Sequence, residues 1–173
     1  MSENPEIVID TVGEFLVHAL ELEEASSDHY DELADSMEIH NNLKVAELFR
    51  KLGDYSRQHA KEVHQRTQGV ELPTITPWDF KWKCPSSPES FCMDGANYMM
   101  TISQAMEIAL FNEIRGRDFY QQVADSTPND EVRTMALEMA EEEGWHVEML
   151  REWQARLRDE PPLEDLDPPN MPE

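Results

Sequence analysis

From Thr11 onward, apolar residues recur at intervals of three and four over four long stretches, the period of helices that bury one face. The first stretch opens on Thr11-x-x-Glu14, a capping-box pairing, and its stripe runs Phe15, Leu16, Ala19, Leu20, Glu23, Ser27, Tyr30, Leu33, Ala34 and Met37. The second follows a turn at Asn41 and Asn42, carries Val45, Leu48, Phe49, Leu52, Ser56, His59 and Val63, and stops at Gly69. The third starts between Asp94 and Thr101, with Ile102, Met106, Ala109, Leu110, Glu113, Gly116, Tyr120 and Val123 inward. The fourth takes Thr127 as its N-cap with Pro128 in the first turn, then Val132, Ala136, Met139, Glu143, His146, Leu150, Trp153 and Leu157.

These stripes predict helices over about 11–40, 42–68, 97–126 and 128–158. Strand signals are nearly absent. Between the second and third stretches, residues 69–96 hold four prolines, two glycines and both cysteines, too many breakers for another long helix. That segment is expected to run along the bundle as a long crossover between two antiparallel helix pairs, so the expectation is one all-α domain over 1–158. The tail 159–173 is acidic and proline-rich and is expected to stay disordered or loosely draped.

The chain also repeats itself. ALELEEASSDHYDELADS (19–36) aligns without a gap on ALFNEIRGRDFYQQVADS (109–126), pairing Glu23 with Glu113 and Tyr30 with Tyr120. A three-residue shift then sets ELFRKLGDYSRQHAKEV against the fourth stretch and His59 against His146. Duplication of a helical hairpin explains both matches.

Fourteen Lys and Arg face thirty-seven Asp and Glu, a formal charge of −23. Such a surface repels nucleic acid and anionic lipid and attracts cations or basic proteins, although most of these acids are read as solvated helix faces. The start, MSENPEIVID, lacks the pattern of a signal peptide and no apolar run approaches a membrane span, so a cytoplasmic protein is expected. Cys84 and Cys92 share one loop; they could pair there, but free thiols are the expectation in the cytosol.

The sharper chemistry lies on the stripes. Glu23, His59, Glu113, Glu143 and His146 sit mid-helix where apolar residues belong, at corresponding points of the two copies. Burying three carboxylates together is costly, and a cation removes both the desolvation and the repulsion. Glu143-x-x-His146 places two ligand groups one turn apart on one face, the spacing that lets both reach one metal ion. A Glu on one helix of each pair and a Glu-x-x-His on the other is the di-metal carboxylate pattern of four-helix bundles.

At these residues the chain resembles the rubrerythrin branch of the ferritin-like family, over about residues 11–158 and without the rubredoxin domain of full rubrerythrins. The resemblance rests on E-x-x-[AG]-x-x-x-Y in helices one and three, read as EEASSDHY and EIRGRDFY, and on E-x-x-H in AEEEGWHVEML. It implies an all-α ferritin-like antiparallel four-helix bundle holding iron, two ions per chain or one. Glu113 and His146 would serve one ion, Glu23 and His59 the other, with Glu143 between. Two positions depart from the pattern: Ser26 stands at the small-residue position of helix one, and Ser56 stands where Glu is expected three residues before His59. Either water fills that place, Glu143 bridges alone, or one metal position is weak. Asp54 and Glu62 lie off the stripe and are not expected to be ligands.

Tyr30 and Tyr120 would either hydrogen-bond a ligand carboxylate or merely pack. Met99, Met100, Met106, Met135, Met139 and Met149 are read as core filler, and His18, His29, His40 and His64 as surface or helix-end residues. The aromatic loop TPWDFKWKC, with Trp78, Phe80 and Trp82, is expected to cover the side of the bundle.

The resemblance implies reduction of hydrogen peroxide or dioxygen, or oxidation of Fe(II). Electrons would come from a separate donor protein with a basic face, and the chain would form a homodimer. The reading from another class is a degenerate ferritin-like scaffold, a metal-binding or interaction module in which Ser56 has ended redox turnover.

Overall fold

The structure, a computed structural model, describes residues 7–82 and 97–159. Among these residues it contains four long helices: α1 (Val12–Ile39), α2 (Leu43–Arg66), α3 (Ile102–Ser126) and α4 (Asp130–Asp159). They pack chiefly as two pairs, α1 with α2 and α3 with α4, the expected antiparallel bundle. Cys84, Cys92 and the tail 160–173 lie outside the described residues.

Local chemistry sets each helix end. Thr11 Oγ1 accepts from the Glu14 amide at 3.2 Å, but the Glu14 carboxylate turns to Lys81 Nζ at 2.5 Å, so only half of the expected capping box forms at α1. Thr101 and Gln104 form both halves at α3. Asn41 takes the left-handed conformation, φ 59°, that lets α1 turn tightly into α2. Gly69, φ 76°, turns the chain shortly after α2 ends.

The α3–α4 turn corrects the expectation for α4. Asn129, not Thr127, is its N-cap: Asn129 Oδ1 accepts from the amides of Glu131 at 3.0 Å and Val132 at 3.3 Å. Thr127 instead donates its hydroxyl to Ile9 O at 2.6 Å, and Asn129 Nδ2 reaches Asp10 O at 3.0 Å. The segment before α1 is thereby stapled to the turn, and Ile9 is fully buried.

The start of the crossover lies against α1. Glu71 passes so close to Gly13 that a Cβ there would sit 2.2 Å from the Glu71 carbonyl oxygen, so glycine is required. Further on, the Lys81 amide donates to His18 Nε2 at 3.0 Å while His18 Nδ1 donates to Glu14 O at 2.8 Å. Phe80 and Trp82 meet the His18 ring edge-on at 5.0 and 5.3 Å, and Trp82 also meets Phe119 at 5.5 Å. Two of the three loop aromatics therefore cover the bundle, while Trp78 is 82% exposed. His18 is fully buried and His29 is buried, contrary to their reading as surface residues; His40 and His64 are exposed. Met99 is likewise exposed, unlike Met100, Met106 and Met139.

The apolar interior is divided. One cluster joins Phe15, Leu22, Phe119, Val132 and Met139, and a second joins Leu33, Phe49, Met106 and Leu150. Each has its tyrosine, Tyr120 in the first and Tyr30 in the second, and both hydroxyls reach the polar residues at mid-bundle.

Candidate metal centre

Each of the four helices contributes to that polar layer. Glu23 on α1, Glu113 on α3 and Glu143 on α4 are nearly fully buried, at 1, 3 and 2% exposure. The side chains of His59 on α2 and His146 on α4 keep 13 and 15%. The apolar faces of the same helices force this burial, since rotating an acid outward would expose the adjacent stripe.

The geometry is nearly two-fold. Glu143 lies between the imidazoles, with Oε1 3.3 Å from His59 Nδ1 and Oε2 3.4 Å from His146 Nδ1. Glu23 Oε2 is 3.6 Å from His59 Nδ1, and Glu113 Oε2 is 3.1 Å from His146 Nδ1. The two rings stack at 4.9 Å between centroids. The tyrosines cross over: Tyr120 donates to Glu23 Oε1 at 2.9 Å and Tyr30 to Glu113 Oε1 at 2.8 Å. Each fixes the carboxylate of the other copy.

Electrostatics follows from this packing. Burial alone lowers the affinity of His59 for its proton, but Glu143 and Glu23 outweigh it and push the pKa up to about 11. For His146 burial again opposes and Glu113 and Glu143 prevail, giving about 10. Burial holds the Glu23 carboxyl above its ordinary range, with His59 acting against it and Glu143 adding to it. Both histidines are therefore held protonated by the carboxylates beside them.

A cation would fit where those protons sit. One ligand atom each from His59, Glu143 and His146 lie within 4.8 Å of one another, and Glu143 Oε2 is buried without a hydrogen bond. Carboxylate oxygens with imidazole nitrogens form a donor set suited to iron or similar divalent ions. Asp54 pairs with Arg57 at 2.6 Å and Glu62 accepts from Gln58 at 2.7 Å.

The two departures from the motif prove to be one feature. Ser56 Oγ lies 2.9 Å from Ser26 Oγ, both side chains are buried, and Ser56 also donates to Leu52 O at 3.3 Å. At the positions that in the second copy are Glu143 and buried Gly116, the first has a pair of hydroxyls bonded to each other. Among the described residues, no other side chain takes the missing carboxylate's place in that bond. Ser26 was visible in the sequence only as a larger residue at a small position; its bond to Ser56 needed the packing of α1 on α2.

A four-helix bundle with a buried Glu/His layer at its centre is the arrangement in which di-metal carboxylate proteins hold their ions. The rubrerythrin family model matches residues 14–100 and 104–169, and the chain belongs to that family. Its fold is similar to the crystal structure, at 2.00 Å, of an uncharacterized conserved protein from Magnetospirillum magnetotacticum. That protein is 38% identical, with a TM-score of 0.67, over 84% of this chain and 95% of that one. No protein of curated function matches the chain. Among the described residues, no helix is long and apolar enough to cross a membrane.

Proposed function

We propose that the chain is a non-haem di-iron oxidoreductase that reduces hydrogen peroxide or dioxygen with electrons from a separate redox protein. The observation that carries this reading is Glu143, buried and shared between two imidazole Nδ1 atoms that each have a further carboxylate of their own. Glu23 and His59 would hold one ion, Glu113 and His146 the other, and Glu143 both. When bound, a ferrous pair supplies two electrons, and with two protons these convert peroxide to two waters. Tyr30 and Tyr120 hold the outer carboxylates in place, so that loading requires little reorganisation. The two apolar clusters on either side keep bulk water out. An acidic surface of −23 suits a donor with a basic face, and a homodimer belongs to the same proposal.

Fe(II) oxidation is the variant of this chemistry in which iron itself is the substrate; added Fe(II) would then turn over and mineralise. A second reading is favoured by the Ser26–Ser56 pair: a scaffold that binds metal without redox turnover. Absorption and Mössbauer spectra of the iron-loaded protein, before and after one equivalent of peroxide, separate the readings. Oxidation of the iron supports the oxidoreductase, and an unchanged spectrum leaves the scaffold.

A further inference from the structure

The two copies differ at one more position beside the site. In the alignment that pairs His59 with His146, Tyr55 corresponds to Glu142, each four residues before the histidine of its own helix. In the structure each lies beside the histidine of the other copy. Tyr55 stacks on His146, 5.2 Å between centroids at 20°, whereas Glu142 Oε2 lies 4.0 Å from His59 Nε2. The same backbone place thus gives one imidazole an aromatic wall and the other a carboxylate.

This matters because of which nitrogen faces inward. His59 turns Nδ1 to Glu23 and Glu143, so a metal would take the Nδ1 lone pair and the proton must sit on Nε2. An Nε2–H needs an acceptor, and a carboxylate there fixes the tautomer, holds the ring and makes the ligand more basic. The Glu142 side chain is one-third exposed and free to close the gap by a rotamer change. Its neighbour Glu143 faces the other side of His59 and is occupied at Nδ1.

Resting on the metal reading above, we propose that Glu142 is the positioning residue of the His59 metal position, accepting the Nε2 proton of His59. It supports the position that Ser56 leaves one carboxylate short, while His146 is held by Tyr55 instead. The two metal positions of the chain are therefore supported by different means.

The test uses the whole chain titrated with Co(II), whose paramagnetism shifts the exchangeable N–H proton of each bound imidazole in the proton NMR spectrum; His59→Ala assigns the His59 signal. In Glu142→Ala the His59 N–H is expected to exchange faster with solvent and broaden while that of His146 is unmoved. Co(II) affinity at one position should fall about 10–100-fold. Glu142→Gln, which keeps an acceptor oxygen, should recover part of both. Shifted N–H signals in the parent that Glu142→Ala leaves unchanged would overturn the role of Glu142 alone. Absence of any shifted imidazole signal in the parent would overturn the metal reading and this proposal with it.

Discussion

The α1–α2 and α3–α4 hairpins match in sequence and share only part of their buried chemistry. Each supplies a buried glutamate, a tyrosine that crosses to the other's glutamate, and a histidine with Nδ1 turned inward. Only α3–α4 supplies the carboxylate shared by both histidines; α1–α2 has Ser56 bonded to Ser26 in its place. The Ser56 hydroxyl has a partner on the neighbouring helix, which spares it the cost of burial without a hydrogen bond.

The halves should differ most at the two equivalent positions. Glu143→Ala should destabilise the metal-free protein by about 3–5 kcal/mol at neutral pH, because two buried imidazolium groups lose their common partner. Denaturant unfolding of the metal-free chain checks this. Ser56→Ala, at the matching place, should cost only about 0.5–1.5 kcal/mol in the same assay. Equal costs would mean that the two halves are not divided as described.

The histidines give the pH version of that loss. Their folded pKa values, about 11 for His59 and about 10 for His146, lie above the unfolded value near 6.5. The stabilisation is then fully present below about pH 6.5 and is lost as pH rises through the folded values. Thermal unfolding of the metal-free protein followed from pH 6.5 upward should show Tm falling, and the double variant His59→Ala/His146→Ala should flatten that slope. Iron uptake near pH 7 should release protons, since the metal displaces them.

At the tyrosines the halves should behave alike. Tyr30→Phe and Tyr120→Phe each remove one hydrogen bond to a buried carboxylate, and each should cost about 1.5–3 kcal/mol in the denaturant assay. A large difference between the two would place the asymmetry deeper than helix α2.

Restoring the missing group is the most selective change. Ser56→Glu alone should meet Ser26 and destabilise by about 1–3 kcal/mol through overpacking. Adding Ser26→Ala should relieve part of that cost and strengthen metal binding at the His59 position, read by titration with Fe(II).

Much of this was legible because period and chemistry coincide on one face. Glu23, Glu113, Glu143, His59 and His146 stand on apolar stripes, and only a common layer lets four amphipathic helices bury them together. Ser56 was legible as a gap for the same reason. Ser26 was not recognised as its partner, because one helix's periodicity says nothing about what crosses from the next. His18 escaped for a related reason: its partners, Lys81, Phe80 and Trp82, come from the irregular crossover, whose path no repeat encodes. Thr127 and Asn129 are both good caps in one short turn, and the contest was decided by Ile9, whose carbonyl takes the Thr127 hydroxyl.

Whether these five residues hold iron, with Glu143 shared between the halves, is tested most directly by anaerobic Fe(II) loading of the metal-free chain, with iron counted per chain and Glu143→Ala beside it. Two irons are expected in the parent, with loss of bound iron in the variant. No iron in the parent, or equal iron in both, would contradict it.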